Sequence, residues 1–499
     1  MHVLGQHTLN DRLLRLAEFL MTVTSSAETR HRRIFGVEEH HIDPIPASER
    51  HGKPRNLFFV WFAANLVIGT IITGALAVLV GNDLFWAVVS IVVGNLVGAV
   101  FMAFHSAQGP RLGVPQLIQS RGQFGFYGAI LPVILGIILY VGFFAAGVIP
   151  AAQGLSTVFH GLSLNTSIII LSIPSLILAI LGYDLIHQWQ RAGTFAFLAG
   201  FIILTVALFV HGGLDWAPGS FAGGPFLLSV SIIAVFQISY APYVSDYSRY
   251  LREDVGISAP FWATFIGTNL SALWLMIVAC MVTAIYPKLG TVAGINAVIG
   301  GAAGVIVLLT VAFGIIGVNA MNLYGGMLSL VTALSSGRSI APSAILRTVL
   351  VAVIFAASIL LAIVGAGNFM TNYENYLLLL LYLFIPWTAI NLTDYYFVKK
   401  GSYDIDAFYD PHGIYGHDPA THVVGGVSLP AMAAYVIGFC VQLPFMSTTV
   451  YQGFMVPHLG GADISWIIGL VVSAGLYYYL VRGTVRRTAA QPASRPVVN

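Results

Sequence analysis

The chain has 499 residues, of which 57% are hydrophobic and only 8% are charged, with a formal net charge of +2. A soluble globular protein carries about 25% charged residues, so this composition excludes an ordinary soluble domain. Long uncharged apolar runs recur from Asn56 to Val481, which indicates a polytopic helical membrane protein. Cys280 and Cys440 both lie inside apolar runs, so we expect no disulfide framework.

The apolar runs predict twelve membrane-spanning helices, each close to the roughly 20 residues that a helix needs to cross hydrocarbon. In chain order, the predicted spans cover residues 57–80, 84–104, 127–152, 165–182, 193–211, 226–247, 261–285, 300–333, 347–366, 372–397, 425–448 and 463–482. The first run is too long for the core of a signal peptide, so we expect no cleavable signal. The polar remainder predicts a tail over residues 1–56, a loop over 398–424 and a second tail over 483–499.

The positive charges orient these spans. Of the 22 Lys and Arg residues, all but Lys288 fall in the tails and in the alternate loops that this span count places on one side. The positive-inside rule then predicts that both termini are cytoplasmic. In the N-terminal tail, Leu9–Leu20 has helical apolar spacing, and it is interpreted either as a helix on the membrane surface or as a frayed tail.

Two predicted spans are interrupted. The first carries Asn65 and Gly69 inside an apolar run, and the sixth gathers Gln237, Tyr240 and Pro242 within two turns. A broken helix survives in a membrane only where it is buried in protein or lines a wet cavity. Spans one and six are also where two five-span halves would begin, and paired interruptions of this kind indicate a central binding site. Simple packing kinks remain an alternative.

The third and eighth spans add candidate ligand contacts. Phe143 and Phe144 lie between small residues and offer rings that can stack on a flat ligand, although packing is the commoner use of such rings. Asn319 and Asn322 are three residues apart and share a helix face. A side-chain amide offers both donors and acceptors, which suits the edge of a heterocycle. Hydrogen bonding between helices is the alternative.

Carboxyl groups inside membranes are functional candidates, and Asp246 and Glu374 are the candidates for carrying a proton. For Asp246, an ion pair with Arg249 or Arg252 at the inner end of the sixth span is the alternative. Asp394, which precedes YYFVKK, is expected at the cytoplasmic surface. The sequence shows no metal-ligand cluster, nucleophile–base set or phosphate-binding glycine–lysine loop. We therefore expect neither an enzyme nor a bound cofactor, and no nucleic-acid partner.

Several stretches resemble the nucleobase:cation symporter family, in its purine–cytosine permease branch. They are IDPIPASERHGKPRNLFFVWFAANLVIGTIITGAL, SRGQFGFYGAILPVIL, YVSDYSRYL, NAMNLYGGMLSL and KKGSYDIDAFY. The resemblance implies an all-α, leucine-transporter-like architecture: a core of two inverted five-helix repeats over residues 57–397 and two accessory helices over 425–482. It also implies a substrate site between spans one, three, six and eight.

Within that family, Asn319 matches the ligand-reading Asn of span eight. Phe143 falls where many relatives have Trp, and Gln237 or Tyr240 falls where relatives have an aromatic residue. Sodium-coupled relatives carry two hydroxyl residues just before the span-eight Asn, and the corresponding places here are Gly317 and Val318. Neither residue offers a side-chain oxygen to a sodium ion, so the resemblance implies coupling to protons.

The expected function is import of cytosine, a purine or a related nitrogen heterocycle across the cell membrane by alternating access. Two alternatives remain: an importer of allantoin, hydantoin or a thiamine-precursor pyrimidine, and a non-transporting membrane sensor of such ligands. The expected partners are the small heterocycle and the lipid bilayer. The oligomeric state stays open.

Overall fold

The structure, a computed structural model, describes residues 42–335 and 343–490. The stretch Leu9–Leu20 lies outside the described residues. The helices are α1 Pro54–Ala64, α2 Ile68–Leu79, α3 Leu84–Ser106, α4 Gly109–Leu112, α5 Gln116–Gln119, α6 Arg121–Phe124, α7 Ile130–Val158, α8 Leu164–Leu181, α9 Tyr183–His211, α10 Gly223–Ile238, α11 Ala241–Ser248, α12 Ser258–Ile285, α13 Thr291–Ile299, α14 Gly301–Ser335, α15 Ala344–Gly365, α16 Phe369–Thr393, α17 Leu429–Cys440 and α18 Ser465–Ala490. A two-residue hairpin pairs β1 (Val423–Val424) with β2 (Val427–Ser428).

Each predicted span contains a helix. In the described part of the chain, ten helical segments are long and apolar enough to cross a membrane, and α1 with α2 forms an eleventh that is bent by 64°. The shorter apolar helix α17 occupies the eleventh predicted span. These segments are consistent with twelve spans. The nine-residue helix α13 between the seventh and eighth spans was not predicted from the sequence.

The first span breaks between Ala64, where α1 ends, and Ile68, where α2 begins, and the backbone of Val67 in between is extended. Asn65 satisfies the broken end, because its side-chain amide donates to the Trp61 carbonyl at 3.0 Å. On the other side of the break, the Thr70 hydroxyl donates to the Asn65 carbonyl at 2.7 Å. Side chains thus replace the backbone hydrogen bonds that the break removes, as a membrane interior requires.

The sixth span is interrupted more mildly, between α10 and α11: Ser239 and Tyr240 keep right-handed helical dihedral angles, and the two helices together still form one of the ten apolar segments. The Ser239 hydroxyl donates to the Phe236 carbonyl at 2.7 Å and so satisfies part of the broken end. Pro242 lies in the first turn of α11, where its missing N–H removes no helical hydrogen bond. The predicted interruption therefore comes from the start of a second short helix and not from a proline inside a continuous one.

The spans pack into two groups. In the first, α12 contacts α1, α2 and α3, α10 contacts α2 and α3, and α11 contacts α3. In the second, α7, α8, α14 and α15 all contact one another. The first group therefore holds both broken spans and the second holds unbroken ones. Helices approach closely inside the first group: a Cβ on Gly98 of α3 would lie 2.3 Å from the Ala234 carbonyl oxygen of α10.

Asp394, which the sequence places at the cytoplasmic surface of the membrane, is buried inside the protein. It follows α16, its side chain is fully buried, and it accepts hydrogen bonds from Tyr403 at 2.6 Å and Tyr477 at 2.8 Å. Gln123 of α6 approaches the same carboxylate at 3.4 Å. These hydroxyl and amide donors come from the following loop, from α18 and from α6, and they allow the carboxylate to be buried.

Candidate functional site

Both breaks meet in one buried hydrogen-bond network. The Tyr240 hydroxyl donates to the Asn65 side-chain oxygen at 3.3 Å, and the Asn65 amide donates to the Thr268 hydroxyl of α12 at 2.9 Å. Thr268 donates to the Gln237 side-chain oxygen at 2.6 Å, and Gln237 donates to Asn95 of α3 at 2.7 Å. The interrupted ends are therefore fixed to each other and to α3 and α12 by side chains that are almost completely buried.

A cavity of about 470 Å³ adjoins this network. Its wall is built from α1, α2, α10 and α11 of the first group, from α7 and α14 of the second, and from α9. The volume falls within the roughly 300–1,000 Å³ typical of small-molecule pockets. A second hollow of about 520 Å³, at Arg111, Glu253 and residues 401–405, touches neither break. Both interrupted spans line the 470 Å³ cavity, which makes it the candidate site.

Aromatic rings form one side of this cavity. Phe143 of α7, Phe236 of α10 and Tyr240 all line it. The Phe143 and Phe236 rings meet edge to face with centroids 6.3 Å apart, and the Phe236 and Tyr240 rings do so at 5.7 Å. Phe144 is instead fully buried behind the wall and packs against Phe355 of α15. Of the two neighbouring phenylalanines, only Phe143 can reach a ligand in the cavity.

The two asparagines of α14 occupy different positions. Asn322 lines the cavity, whereas Asn319 is fully buried and is not part of the wall. Asn319 donates to the Phe144 carbonyl at 3.1 Å and accepts a hydrogen bond from the Asn322 amide at 3.2 Å. In this arrangement Asn319 joins α14 to α7 and orients Asn322, and Asn322 presents its amide to the cavity.

The remaining predicted residues divide in the same way. Tyr240 and Asp246 line the cavity, whereas Asn65, Gln237 and Glu374 are not part of its wall. Asn65 and Gln237 belong to the network behind it. Asp246 accepts a hydrogen bond from the backbone N–H of Gln116 at 2.8 Å, which fixes α11 to α5. Glu374 lies half-buried on α16.

The cavity also uses residues that the sequence reasoning missed. Trp61, Tyr140, Tyr243 and Tyr247 all belong to the wall. Part of the signal was present in the sequence, because Tyr240, Tyr243 and Tyr247 are spaced three and four residues apart and therefore share one helix face. Trp61 and Tyr140 lie on two other helices, and only the packing of α1 and α7 brings them to the same place.

Comparison with known proteins agrees with this architecture. A family described as permeases for cytosine/purines, uracil, thiamine and allantoin matches residues 44–469. YxlA of Bacillus subtilis, which is named as a purine-cytosine permease, is 40% identical over 457 residues, covering 91% of this chain and 98% of its own length. The purine-cytosine permease fcyB of Emericella nidulans is 26% identical over 465 residues, covering 89% and 88%.

Solved structures share the fold. Mhp1 in its inward-facing conformation superposes with a TM-score of 0.72 at 18% identity, over 90% of this chain and 95% of that one. Mhp1 in a closed conformation with bromovinylhydantoin bound is described as a nucleobase-cation-symport-1 family transporter, and it gives a TM-score of 0.71 at 17% identity over 90% and 96%. The leucine-transporter-like fold class expected from the sequence is thereby confirmed.

Proposed function

The chain belongs to the family of permeases for cytosine/purines, uracil, thiamine and allantoin, and we propose that it imports a cytosine- or purine-type heterocycle by alternating access. As a member of this family it is a multi-pass membrane transporter and not an enzyme. The observation that carries the proposal is the cavity between the two helix groups, which combines aromatic rings with the Asn322 amide at two broken spans. Stacking surfaces together with a mixed donor–acceptor group suit a flat nitrogen heterocycle.

In this proposal the base lies against Phe143 and Tyr240 with its polar edge toward Asn322. Asn319, Asn65 and Gln237 hold the site without contacting the base, and Phe144 supports it from behind. The whole transport core would span residues 57–397. Rocking of the α1–α3, α10–α12 group against the α7, α8, α14, α15 group would expose the cavity to one side and then to the other.

The coupling ion in this proposal is the proton. Hard cations are held by several oxygen ligands, yet α14 carries no hydroxyl side chain over residues 311–318. Gly317 is packed so closely that a Cβ there would lie 2.7 Å from Trp189, and Val318 presents an apolar side chain to the cavity. Asp246 is favoured over Glu374 as the proton-carrying group because it lines the cavity.

Substrate uptake tests the proposal directly. Radiolabelled cytosine is supplied to cells that lack their own permeases and express this chain, with unlabelled adenine, allantoin and hydroxymethylpyrimidine as competitors. We expect accumulation of cytosine and competition by adenine. Competition by allantoin alone would indicate a substrate of the hydantoin type. If cells accumulate none of the four compounds when each is supplied in labelled form, the transport proposal is contradicted.

Reconstituted vesicles test the coupling. A pH gradient without sodium should drive accumulation, whereas a sodium gradient with the pH clamped on both sides should not. Asp246→Asn should abolish accumulation against a gradient but keep exchange of labelled for unlabelled substrate, which needs no net proton movement. Glu374→Gln is the matched variant, and it should retain accumulation. Accumulation driven by sodium alone would refute proton coupling.

The charge pattern supports placement in the cell membrane with both termini in the cytoplasm. A tag at the C-terminus should react with an impermeant label only after the cells are opened. Labelling in intact cells would reverse the proposed orientation.

A further inference from the structure

The cavity wall continues beyond the proposed binding position, toward the Asp246 end of α11. We name Trp61, Tyr140, Tyr243 and Tyr247 the aromatic vestibule, and all four line the cavity. The Trp61 ring lies 5.3 Å from that of Tyr247 and 6.4 Å from that of Tyr243, and the Tyr140 and Tyr243 rings are 5.7 Å apart. Rings from three helices thus line one part of the cavity, next to Tyr240, whose ring lies 5.7 Å from that of Trp61 and 5.8 Å from that of Tyr243.

The aromatic vestibule also contains polar groups that protein atoms do not satisfy. The Trp61 indole N–H is buried and has no hydrogen-bond partner among the residues that the structure describes. Tyr140 and Tyr243 are half-buried, and their hydroxyls make no hydrogen bond to the described part of the chain. The Trp61 N–H is not exposed to the cavity, whereas the two tyrosine hydroxyls can donate to water or to a ligand there. Two donors beside flat rings match the nitrogen and oxygen acceptors of a heterocyclic base.

Packing holds the vestibule in shape. A Cβ on Gly325 of α14 would lie 2.5 Å from the Tyr140 ring, so this glycine allows the ring to rest directly against the helix. On the opposite side, Trp61 is almost fully buried, and its carbonyl accepts the Asn65 amide at the first break. A binding surface that is already fixed loses less conformational entropy when a ligand arrives.

We propose that the aromatic vestibule is a second binding station for the transported heterocycle, between the central site at Phe143 and Asn322 and the Asp246 end of the cavity. This inference rests on the proposed function. The base leaves the central site, stacks on the vestibule rings, and accepts hydrogen bonds from the Tyr140 and Tyr243 hydroxyls before release.

The experiment measures transport from each side of the membrane. The double variant Tyr140→Phe with Tyr243→Phe keeps both rings and removes both hydroxyls, so its fold should be preserved. Right-side-out and inside-out vesicles are loaded with radiolabelled cytosine, and the half-saturation concentration is measured in each. We expect a rise of about three- to tenfold on the vestibule side only, since one or two neutral hydrogen bonds are lost.

Two further variants complete the design. Tyr243→Leu removes a ring and should raise the same one-sided constant further. Tyr479→Phe alters an exposed tyrosine of α18 outside the cavity and should leave both constants unchanged.

An equal rise on both sides would place these tyrosines in the central site, and no change on either side would assign them to packing; either result overturns the second station. If the unaltered protein transports none of the tested heterocycles, the proposed function fails instead. Normal wild-type uptake with a two-sided or absent effect refutes the vestibule alone.

Discussion

Replacing Asn322 with alanine is expected to weaken substrate binding while leaving the protein about as stable as before. Asn322 is half-buried and lines the cavity, and its amide makes one hydrogen bond, to Asn319 at 3.2 Å. A hydrogen bond to a neutral ligand is worth about 0.5–1.5 kcal/mol. At about 1.4 kcal/mol per tenfold change in affinity, the half-saturation constant for uptake should rise roughly two- to twelvefold.

Asn319→Ala should behave differently. Asn319 is fully buried and makes two hydrogen bonds, one to the Phe144 carbonyl of α7 and one from Asn322. Its loss should lower the free energy of unfolding by about 1–3 kcal/mol, because two buried bonds disappear. It should also weaken binding, because Asn322 is no longer oriented.

The assay combines uptake kinetics, normalised to membrane abundance, with the thermal unfolding midpoint of each purified variant in detergent. Thr310→Val is the matched control, since Thr310 lies on the same helix and its hydroxyl bonds, among the described residues, only to the Ile306 carbonyl of its own helix. The reasoning is refuted if Asn319→Ala melts like the unaltered protein while Asn322→Ala unfolds early, or if neither variant changes uptake.

Two other substitutions follow from the packing. Asp394→Ala leaves the hydroxyls of Tyr403 and Tyr477 without their acceptor and should lower the unfolding free energy by roughly 3 kcal/mol or more. Asp394→Asn should be less damaging, and unchanged melting of the alanine variant would contradict the burial argument. Gly325→Ala places a methyl group against the Tyr140 ring and should cost about 1–3 kcal/mol of stability through overpacking while raising the half-saturation constant; wild-type kinetics and melting would show that the ring moves aside freely.

The spans were predictable because the hydrocarbon acts on each one separately. Every spanning helix needs its own apolar run, so the twelve predicted runs each contain a helix. The helix α13 was missed because its nine residues are too few to span a membrane. The two interruptions were also visible, since Asn65 and Pro242 are unusual inside apolar segments.

The contacts within the site were less predictable. Phe143 and Phe144 are adjacent in sequence, yet one lines the cavity and the other packs against Phe355. Neighbouring residues on a helix point in different directions, and the sequence of one helix does not say which direction faces the cavity. The burial of Asp394 was not predicted for a related reason, because its tyrosine donors come from a distant helix and a loop.

The amino-acid sequence by itself determined that this chain spans a membrane many times, which side carries the positive charge, and which two spans are interrupted, because lipid imposes these requirements one segment at a time. Only the tertiary structure decided that Asn322, and not Asn319, faces the cavity, and that Tyr140 and Trp61 join Tyr243 around one space. Those relations depend on the packing of helices that are far apart in the chain, and the pattern within any single helix does not contain them.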